Sequence, residues 1–474
     1  MLSSVSPARA LAVNVGKGVR WLLRRLGHGG TTLPGLIALY LYRPLIGDLG
    51  QAIPNGSLLV TGTNGKTTTT RVLAEALRQV GLMPITNREG ANLARGIATA
   101  LLSYANVWGH YRLPNAAIGL FEVDEGAFPE ALAQLQPRIV VITNLFRDQL
   151  DRYFEVDFVA SLWQEALAHL PPKTVLALNA DDPLVAYLGE TVANPVIYYG
   201  IEEVQLGQKG LEHAADSRRC PRCSVDLMYS ASFYSHLGHY ACTACGWRRP
   251  DPKVLAWRVQ LGGLEGSCVD LVTPYGPKTF RVPLPGLHNV YNVLAASAAA
   301  FALGVEAEPF EKAMARVGAA FGRMERFKVG QKEALLALVK NPSGVHQVLN
   351  TILSQEDGKA GLLLALNDNI PDGRDVSWIW DVDMERLKGK ISWIVVGGLR
   401  AYDLALRLKY AHLLQDQSNP VVLHVAKDLH RALDLALEQT PPGGRFYIVP
   451  TYTAMWELRE ELVRRGHLPP FWEV

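Results

Sequence analysis

The chain has 474 residues, with 47 Lys and Arg against 45 Asp and Glu, and 49% of its residues are hydrophobic while 19% are charged. That composition excludes a disordered or fibrous chain, and a formal net charge of +2 gives no global case for nucleic-acid binding, although a local basic patch stays open. At roughly 100 to 200 residues per domain, the length predicts about three domains.

Residues 1–50 read as an N-terminal basic helical segment, because six basic residues (Arg9, Lys17, Arg20, Arg24, Arg25, Arg43) face one acidic residue, Asp48. Leu11, Val15, Val19, Leu22 and Leu26 recur at helical spacing, which predicts a basic amphipathic helix. Its stripe can touch anionic lipid or pack on the next domain, and packing is the plainer expectation. The apolar run Leu36 to Tyr42 is too short to span a bilayer and stops at Arg43 and Pro44. Residues 1–15 lack the layout of a secretory signal, so the expectation is a cytoplasmic protein with at most peripheral contact at the inner face of the membrane.

From Ser57 the chain reads strand, glycine loop, helix: SLLV, then TGTNGKTTTT, then RVLAEALRQVG. Gly62 and Gly65 let backbone N–H groups turn around phosphate oxygens, the helix start adds its positive end, Lys66 reaches terminal phosphates and the Thr67 hydroxyl can hold Mg²⁺. The general phosphate-loop pattern has Gly where this chain has Val60, so the match is to a shortened variant.

GTNGKTT resembles the loop of the Mur ligases and folylpolyglutamate synthetases, and FEVDEGAF, NLFRDQLD, NADDP and GLHNVYN follow in that family's order. The resemblance implies a Mur-ligase-type central ATPase domain over 51–322. It implies ATP held by Gly62, Thr63, Asn64, Gly65, Lys66, Thr67 and Thr68, with His288, Asn289, Asn292 and Arg323 near the nucleotide and Mg²⁺ on Thr67 and Glu122. GRMERF, from Gly322 to Phe327, resembles the family's junction into its C-terminal domain. Two departures stand out: Gln149 replaces a metal-binding His of the family, which puts a second metal site in doubt, and the carbamylated lysine of many Mur ligases has no evident counterpart.

An insertion at about 208–250 carries Cys220-x-x-Cys223, eighteen intervening residues, then Cys242-x-x-Cys245. Two such knuckles supply four thiolates to Zn²⁺, the pattern of a zinc ribbon; a redox pair or free buried cysteines are the competing readings. Arg218, Arg219, Arg222, Arg248 and Arg249 with Tyr240 and Trp247 could serve nucleic acid, but a structural staple needs none, and the expectation is no nucleic-acid partner. Loss of the zinc is accordingly expected to leave ATP contacts nearly untouched. Cys268 stands apart and is expected to be a small core residue.

Beyond Arg323, EALLALV, AGLLLAL, SWIVVGG, PVVLHVA and RFYIVP alternate with helical stretches and predict a C-terminal Rossmann-like α/β domain over 323–474. The loop NDNIPDGRDVSWIWDVD after its second strand carries Asp368, Asp372, Asp375, Asp381 and Asp383, a candidate site at a strand's carboxyl end, with a solvated capping loop as the alternative. Trp378 and Trp380 call for a packing surface or a partner.

DGRDVSWIWD, LVKNPSGVHQ, GGLRAYDLALRLKYA and PTYTAMWELR resemble the MurT family, the ligase-like subunits of lipid II isoglutaminyl synthases. The resemblance covers nearly the whole chain. It implies ATP-dependent amidation of the α-carboxyl of D-glutamate in the lipid II stem peptide, with ammonia from a GatD-type glutaminase in a heterodimer. It further implies that one loop aspartate completes the partner's Cys-His pair, Asp375 first and Asp372 or Asp381 behind it, while Lys66 and Glu122 serve phosphoryl transfer. A self-sufficient amino-acid ligase and a non-catalytic nucleotide-binding zinc-ribbon protein are the alternatives.

Overall fold

The computed structural model describes residues 6–26, 29–87, 91–147, 156–211, 215–318, 323–354, 360–413 and 421–469. Gln149, Gly322 and the Arg323 side chain, all named above, lie outside what it describes.

Three helices lead the chain: α1 (Pro7–Arg25), α2 (Leu33–Leu41) and α3 (Leu45–Gly50). A run of β/α units follows: β1 (Ser57–Thr61), α4 (Lys66–Gln79), β2 (Met83–Ile85), α5 (Ala94–Leu102), β3 (Ala117–Glu122), α6 (Phe128–Leu135), β4 (Ile139–Ile142), α7 (Val156–Leu167), β5 (Val175–Asn179), α8 (Pro183–Leu188) and β6 (Val196–Ile201). The hairpin β7 (Met228–Tyr234) and β8 (Leu237–Ala241) forms its own small sheet, and β9 (Val254–Leu261), β10 (Ser267–Thr273) and β11 (Gly276–Val282) rejoin the large one before α9 (Leu287–Ala302) and α10 (Ala307–Met314).

The large sheet has nine strands in the order β11-β10-β9-β6-β5-β4-β1-β3-β2, parallel from β2 to β9 and antiparallel at β10 and β11. β1, β3 and β4 are buried at every residue, which is why they read as unbroken apolar runs: helices cover both faces of a parallel sheet. β10 alternates instead. Its Ser267, Val269, Leu271 and Thr273 are buried, so Cys268 points outward and is exposed rather than a core residue as expected.

The C-terminal part comprises β12 (Arg323–Val329), β13 (Lys332–Ala337), α11 (Pro342–Leu353), β14 (Ala360–Ala365), β15 (Ile391–Gly397), α12 (Ala401–Tyr410), β16 (Val422–Ala426), α13 (Leu429–Gln439), β17 (Arg445–Pro450) and α14 (Tyr452–Arg464). Its strands run in the order β12-β13-β17-β14-β15-β16 and are parallel except β12. β12 escaped the sequence reading because its charged residues, Glu325, Arg326 and Lys328 among them, suit only an antiparallel edge.

The helix expected over the basic segment is α1, but its packing differs from the expectation. Ala12, Val13 and Gly16 are the buried residues, and a Cβ on Gly16 would sit 2.7 Å from Leu102 Cδ1. Close approach to α2 and α5 therefore uses the small side of the helix and leaves Leu11, Leu22 and Leu26 exposed.

Candidate active site

The phosphate loop sits where β1 hands over to α4, between the carboxyl ends of β3 and β4, the point at which strand order reverses in the large sheet. Its geometry demands glycine twice. Gly62 has φ +127° and a Cβ there would lie 2.1 Å from Thr143 Oγ1; Gly65 has φ +89° and a Cβ would lie 2.0 Å from Asn292 Oδ1. Both are conformations and clearances that only glycine meets at no steric cost.

The loop is held from β4's end. Thr63 N donates to Asn144 O at 2.9 Å, Asn64 N donates to Asn144 Oδ1 at 2.8 Å, and Thr143 Oγ1 donates to Asn64 O at 2.7 Å. Phe146 N donates to Thr63 Oγ1 at 3.0 Å. Lys66 Nζ donates to the Gly62 carbonyl, to Thr63 O at 3.2 Å and to Glu125 Oε2 at 3.0 Å, so the ammonium is pre-aimed into the loop with a buried carboxylate as counter-charge.

Thr67 Oγ1 lies 2.9 Å from Glu122 Oε2. Two ligands of an octahedral Mg²⁺ with Mg–O near 2.1 Å are separated by about 3.0 Å, so this pair spans one edge of such a site. Glu125 Oε1 is buried without a hydrogen-bond partner, an acceptor that suits a cation or its bound water. The residues fit Mg²⁺ beside a triphosphate.

A cleft extends from the loop, bounded by Asn64, Gly65 and Thr68, by His288, Asn289 and Asn292 of α9, and by Val339, Lys340 and Gln347 of the C-terminal part. Asn289 Nδ2 donates to Pro285 O at 2.7 Å and Asn292 Nδ2 to Asn289 Oδ1 at 3.0 Å, which orders the start of α9, and Asn292 is the side chain that a Cβ on Gly65 would strike. Asn341, the N-cap of α11, donates through Nδ2 to Asn64 Oδ1 at 3.3 Å and joins the C-terminal part to the phosphate loop. Asn144, Glu125 and Asn341 were not assigned from the sequence. Each lies in a motif quoted above, NLFRDQLD, FEVDEGAF and LVKNPSGVHQ respectively, in which the sequence attached no role to that residue.

The cysteine cluster lies at the base of the β7–β8 hairpin. Cys220, Cys223, Cys242 and Cys245 place their sulfurs within 4.8 Å of one another, with Cys220–Cys245 at 3.6 Å and Cys223–Cys242 at 3.4 Å. A tetrahedron with Zn–S near 2.3 Å has edges of about 3.8 Å, so four thiolates here fit one zinc ion. Amide donors from Cys245 and Ala244 draw the Cys242 thiol down to about 6, whereas burial pushes Cys220 up to about 12.

Several of the basic and aromatic residues around the knuckles are paired within the protein, while Arg218, Arg219 and Arg248 are exposed. Arg249 binds Asp181 and Glu202, Arg222 binds Glu190, Trp247 Nε1 donates to Glu190 Oε1 at 2.8 Å, and Tyr240 OH donates to Ala180 O at 2.9 Å. The hairpin's tip does more than staple itself. His236 Nε2 lies 3.3 Å from Asp182 Oδ2, whose other contacts include Leu145 N at 2.8 Å, and Tyr234 lines the nucleotide cleft. Tyr234 also meets Tyr291 of α9 edge-on at 5.7 Å. The expectation that the ribbon leaves ATP contacts untouched is therefore replaced: its tip forms part of the cleft wall.

The three candidate aspartates of the C-terminal loop have separate fates. Asp372 is buried and accepts from Thr453 N at 2.8 Å and Thr453 Oγ1 at 2.5 Å, tying the loop after β14 to the start of α14 after β17, at this sheet's own switch point. Burial raises its carboxyl above the ordinary value. Asp381 Oδ2 lies 3.5 Å from Arg147 Nη2, facing the central domain. Asp375 is exposed; its Oδ1 accepts the Ser377 amide at 2.8 Å, which holds the carboxyl below its usual range. Beside it Trp380 is half exposed and packs on Tyr410 at 5.7 Å, while Trp378 packs against the core.

Comparison with known proteins agrees with this architecture. Residues 60–235 match the Mur ligase middle domain and residues 338–455 match the MurT ligase C-terminal domain. The MurT subunit of the lipid II isoglutaminyl synthase (glutamine-hydrolyzing) of Streptococcus pneumoniae is 35% identical over 462 residues, covering 96% of this chain and 97% of that protein. Its counterpart in Staphylococcus aureus strain COL is 33% identical over 459 residues, with the same coverages.

The chain belongs to the MurT family. Among solved structures, a pseudomurein peptide ligase type C from Methanothermus fervidus superposes with a TM-score of 0.68 at 22% identity, covering 88% of this chain and 80% of that one, which shows a shared Mur ligase fold. That fold implies ATP and Mg²⁺, and the cleft built by Lys66, Thr67 and Glu122 of this MurT-family chain is shaped for both. No helix among the described residues is long and apolar enough to cross a membrane.

Proposed function

We propose that the chain is the synthetase subunit of a lipid II isoglutaminyl synthase, converting the α-carboxylate of D-glutamate in the stem peptide to the amide of D-isoglutamine. The observation that carries this reading is the pairing, in one chain, of a preorganised phosphoryl-transfer site with an exposed carboxylate on a loop locked at the far sheet's switch point.

A carboxylate is a poor acyl donor because its leaving group would be oxide. Attack of its oxygen on the γ-phosphorus of ATP releases ADP and leaves an acyl phosphate; ammonia then attacks the acyl carbon, and the proton the nitrogen loses ends on the departing inorganic phosphate. Amides of residues 62–67 cradle the phosphates, and Lys66 exchanges Glu125 for phosphoryl oxygens as charge spreads over them. Thr67 and Glu122 would hold Mg²⁺, which offsets charge on the phosphates. The Asn341–Asn64 contact and α9 keep the two domains closed on the cleft.

Ammonia comes from a GatD-type glutaminase partner. Four of the five cysteines are clustered and Cys268 is exposed on β10 with no glutaminase motif around it in the sequence, so the glutaminase nucleophile is the partner's. Asp375 supplies the third member of the partner's catalytic set: an exposed, firmly ionised carboxylate suited to orient an imidazole. Ile370 and Trp380 of the same loop, with Tyr410 packed on Trp380, are exposed and would form the docking surface. The direct test is to supply the purified chain with MgATP, lipid II and ammonium and to read carboxyl-to-amide conversion by mass spectrometry. Conversion without the partner supports the assignment; no ATP-dependent change in lipid II removes it.

A further inference from the structure

The outward side of the N-terminal layer is unusual for what it exposes together. Leu11, Trp21 and Leu22 of α1, and Leu26 just past its end, project away from the body, with Trp21 61% exposed. Asn14, on the same side of α1 as Leu11, donates to Val107 O at 2.7 Å and so brings the loop carrying Val107 and Trp108 alongside; Trp108 is 71% exposed. Aliphatic side chains flanked by exposed tryptophans are the make-up of an element that lies in a membrane interface.

The charges beside this face have one sign. Residues 1–47 contain no Asp or Glu, and Arg24, Arg25 and Arg43 are exposed. The Arg25 guanidinium sits 5.2 Å over the Trp21 ring, at the border of apolar and polar surface. The first acidic residue, Asp48, is already engaged by Arg9 and Tyr42. A second copy of the chain would set these arginines against one another, since a two-fold interface repeats the same patch on both sides. An anionic surface neutralises them.

We propose that this face of α1 and the 105–110 loop docks on an anionic lipid bilayer, with α1 lying in the interface rather than crossing it. The proposal stands apart from the amidation chemistry, since it uses no residue of the cleft. Small residues pack inward and large ones face out because the inward side needs close helix contact and the outward side needs area to bury in lipid.

Flotation of the full-length chain with vesicles tests it. Mixed phosphatidylglycerol and phosphatidylcholine vesicles should carry the protein upward at low salt and release it at high salt, and phosphatidylcholine alone should carry little. Arg24→Glu with Arg25→Glu should weaken partition by about 30-fold or more, as expected for the loss of two membrane-adjacent cations. Trp21→Ser with Trp108→Ser should also weaken it, with the unfolding temperature and amidation of a short-chain soluble substrate unchanged. Absence of vesicle binding, equal binding to neutral vesicles, or wild-type binding by both variants would overturn the proposal. A concentration-dependent dimer that these variants abolish, without vesicle binding, would assign the face to a second copy instead.

Discussion

The ring of Tyr234 stacks on that of Phe146, with centroids 5.8 Å apart and planes 24° from parallel. Tyr234 ends the outgoing strand of the cysteine-bearing hairpin, and Phe146 is bonded through its amide to Thr63 of the phosphate loop. The hairpin strand itself therefore leads from the four sulfurs to the nucleotide cleft. At one end Cys220 and Cys242 sit in a small apolar cluster with Tyr240 and Trp247; at the other Tyr234 and Phe146 pack in the core of the central domain.

Tyr234→Ala should weaken ATP binding by roughly 3- to 10-fold through loss of its aromatic contacts, and should lower stability by about 3 kcal/mol or more as a buried aromatic is removed. Tyr234→Phe should be nearly neutral, because the hydroxyl makes no hydrogen bond among the described residues. Titration calorimetry with a non-hydrolysable ATP analogue checks both; equal loss in Phe and Ala would shift the role to the hydroxyl.

Zinc removal should act in the same direction. Stripping the four cysteines by a strong chelator, or Cys220→Ser, should lower ATP affinity as well as loosen the hairpin, and readdition of zinc to the chelated protein should restore both. Metal analysis should return about one zinc per chain. Full ATP affinity in metal-free protein would break the link between ribbon and cleft.

Glu125→Gln leaves the Lys66 ammonium buried among carbonyls and should destabilise the nucleotide-free protein by about 3 kcal/mol, the cost of breaking a buried pair. Phosphates would replace the missing charge, so MgATP should raise the melting temperature more in this variant than in the wild type. Lys66→Ala should instead abolish both the ATP-induced shift and amidation with free ammonium. Differential scanning calorimetry with and without MgATP separates the two.

Asp372→Ala should unlock the C-terminal loop, stranding the Thr453 amide and costing about 1–3 kcal/mol. Because burial raises the folded-state carboxyl above its unfolded value, the native state holds that proton more tightly. This group's contribution to stability is therefore fullest at low pH and is lost as pH rises through the folded value. Asp372→Asn should flatten that slope in the acid range, as chemical denaturation at a series of pH values would report.

The local parts of the site were legible in the sequence because their geometry is local. Glycines at 62 and 65, the lysine after them and the cysteine spacing each imply chemistry within a few residues. Asn144, Asn341 and Tyr234 were not, because they reach the cleft through strand order, the domain junction and a hairpin folded back from an insertion. The five strands of the C-terminal sheet with apolar runs were readable, and the charged edge strand was not. The orientation of α1 also escaped: periodicity places Leu11, Leu22 and Leu26 on one side but says nothing of which side packs, and Gly16 with Ala12 decided it.

Under the proposed function the two sheets divide the labour, with phosphoryl transfer at Lys66, Thr67 and Glu122 and support of the partner's glutaminase at Asp375. The most direct measurement is the amidation rate of the Asp375→Asn chain, assembled with its glutaminase partner, driven by glutamine and then by ammonium. Glutamine hydrolysis and glutamine-driven amidation should fall on the order of 10³-fold, because an amide cannot orient and stabilise an imidazolium as a carboxylate does, while ammonium-driven amidation stays at the wild-type rate. Equal loss with both nitrogen sources would instead place this loop in the synthetase site, and undiminished activity with both would remove Asp375 from the partner's catalytic set.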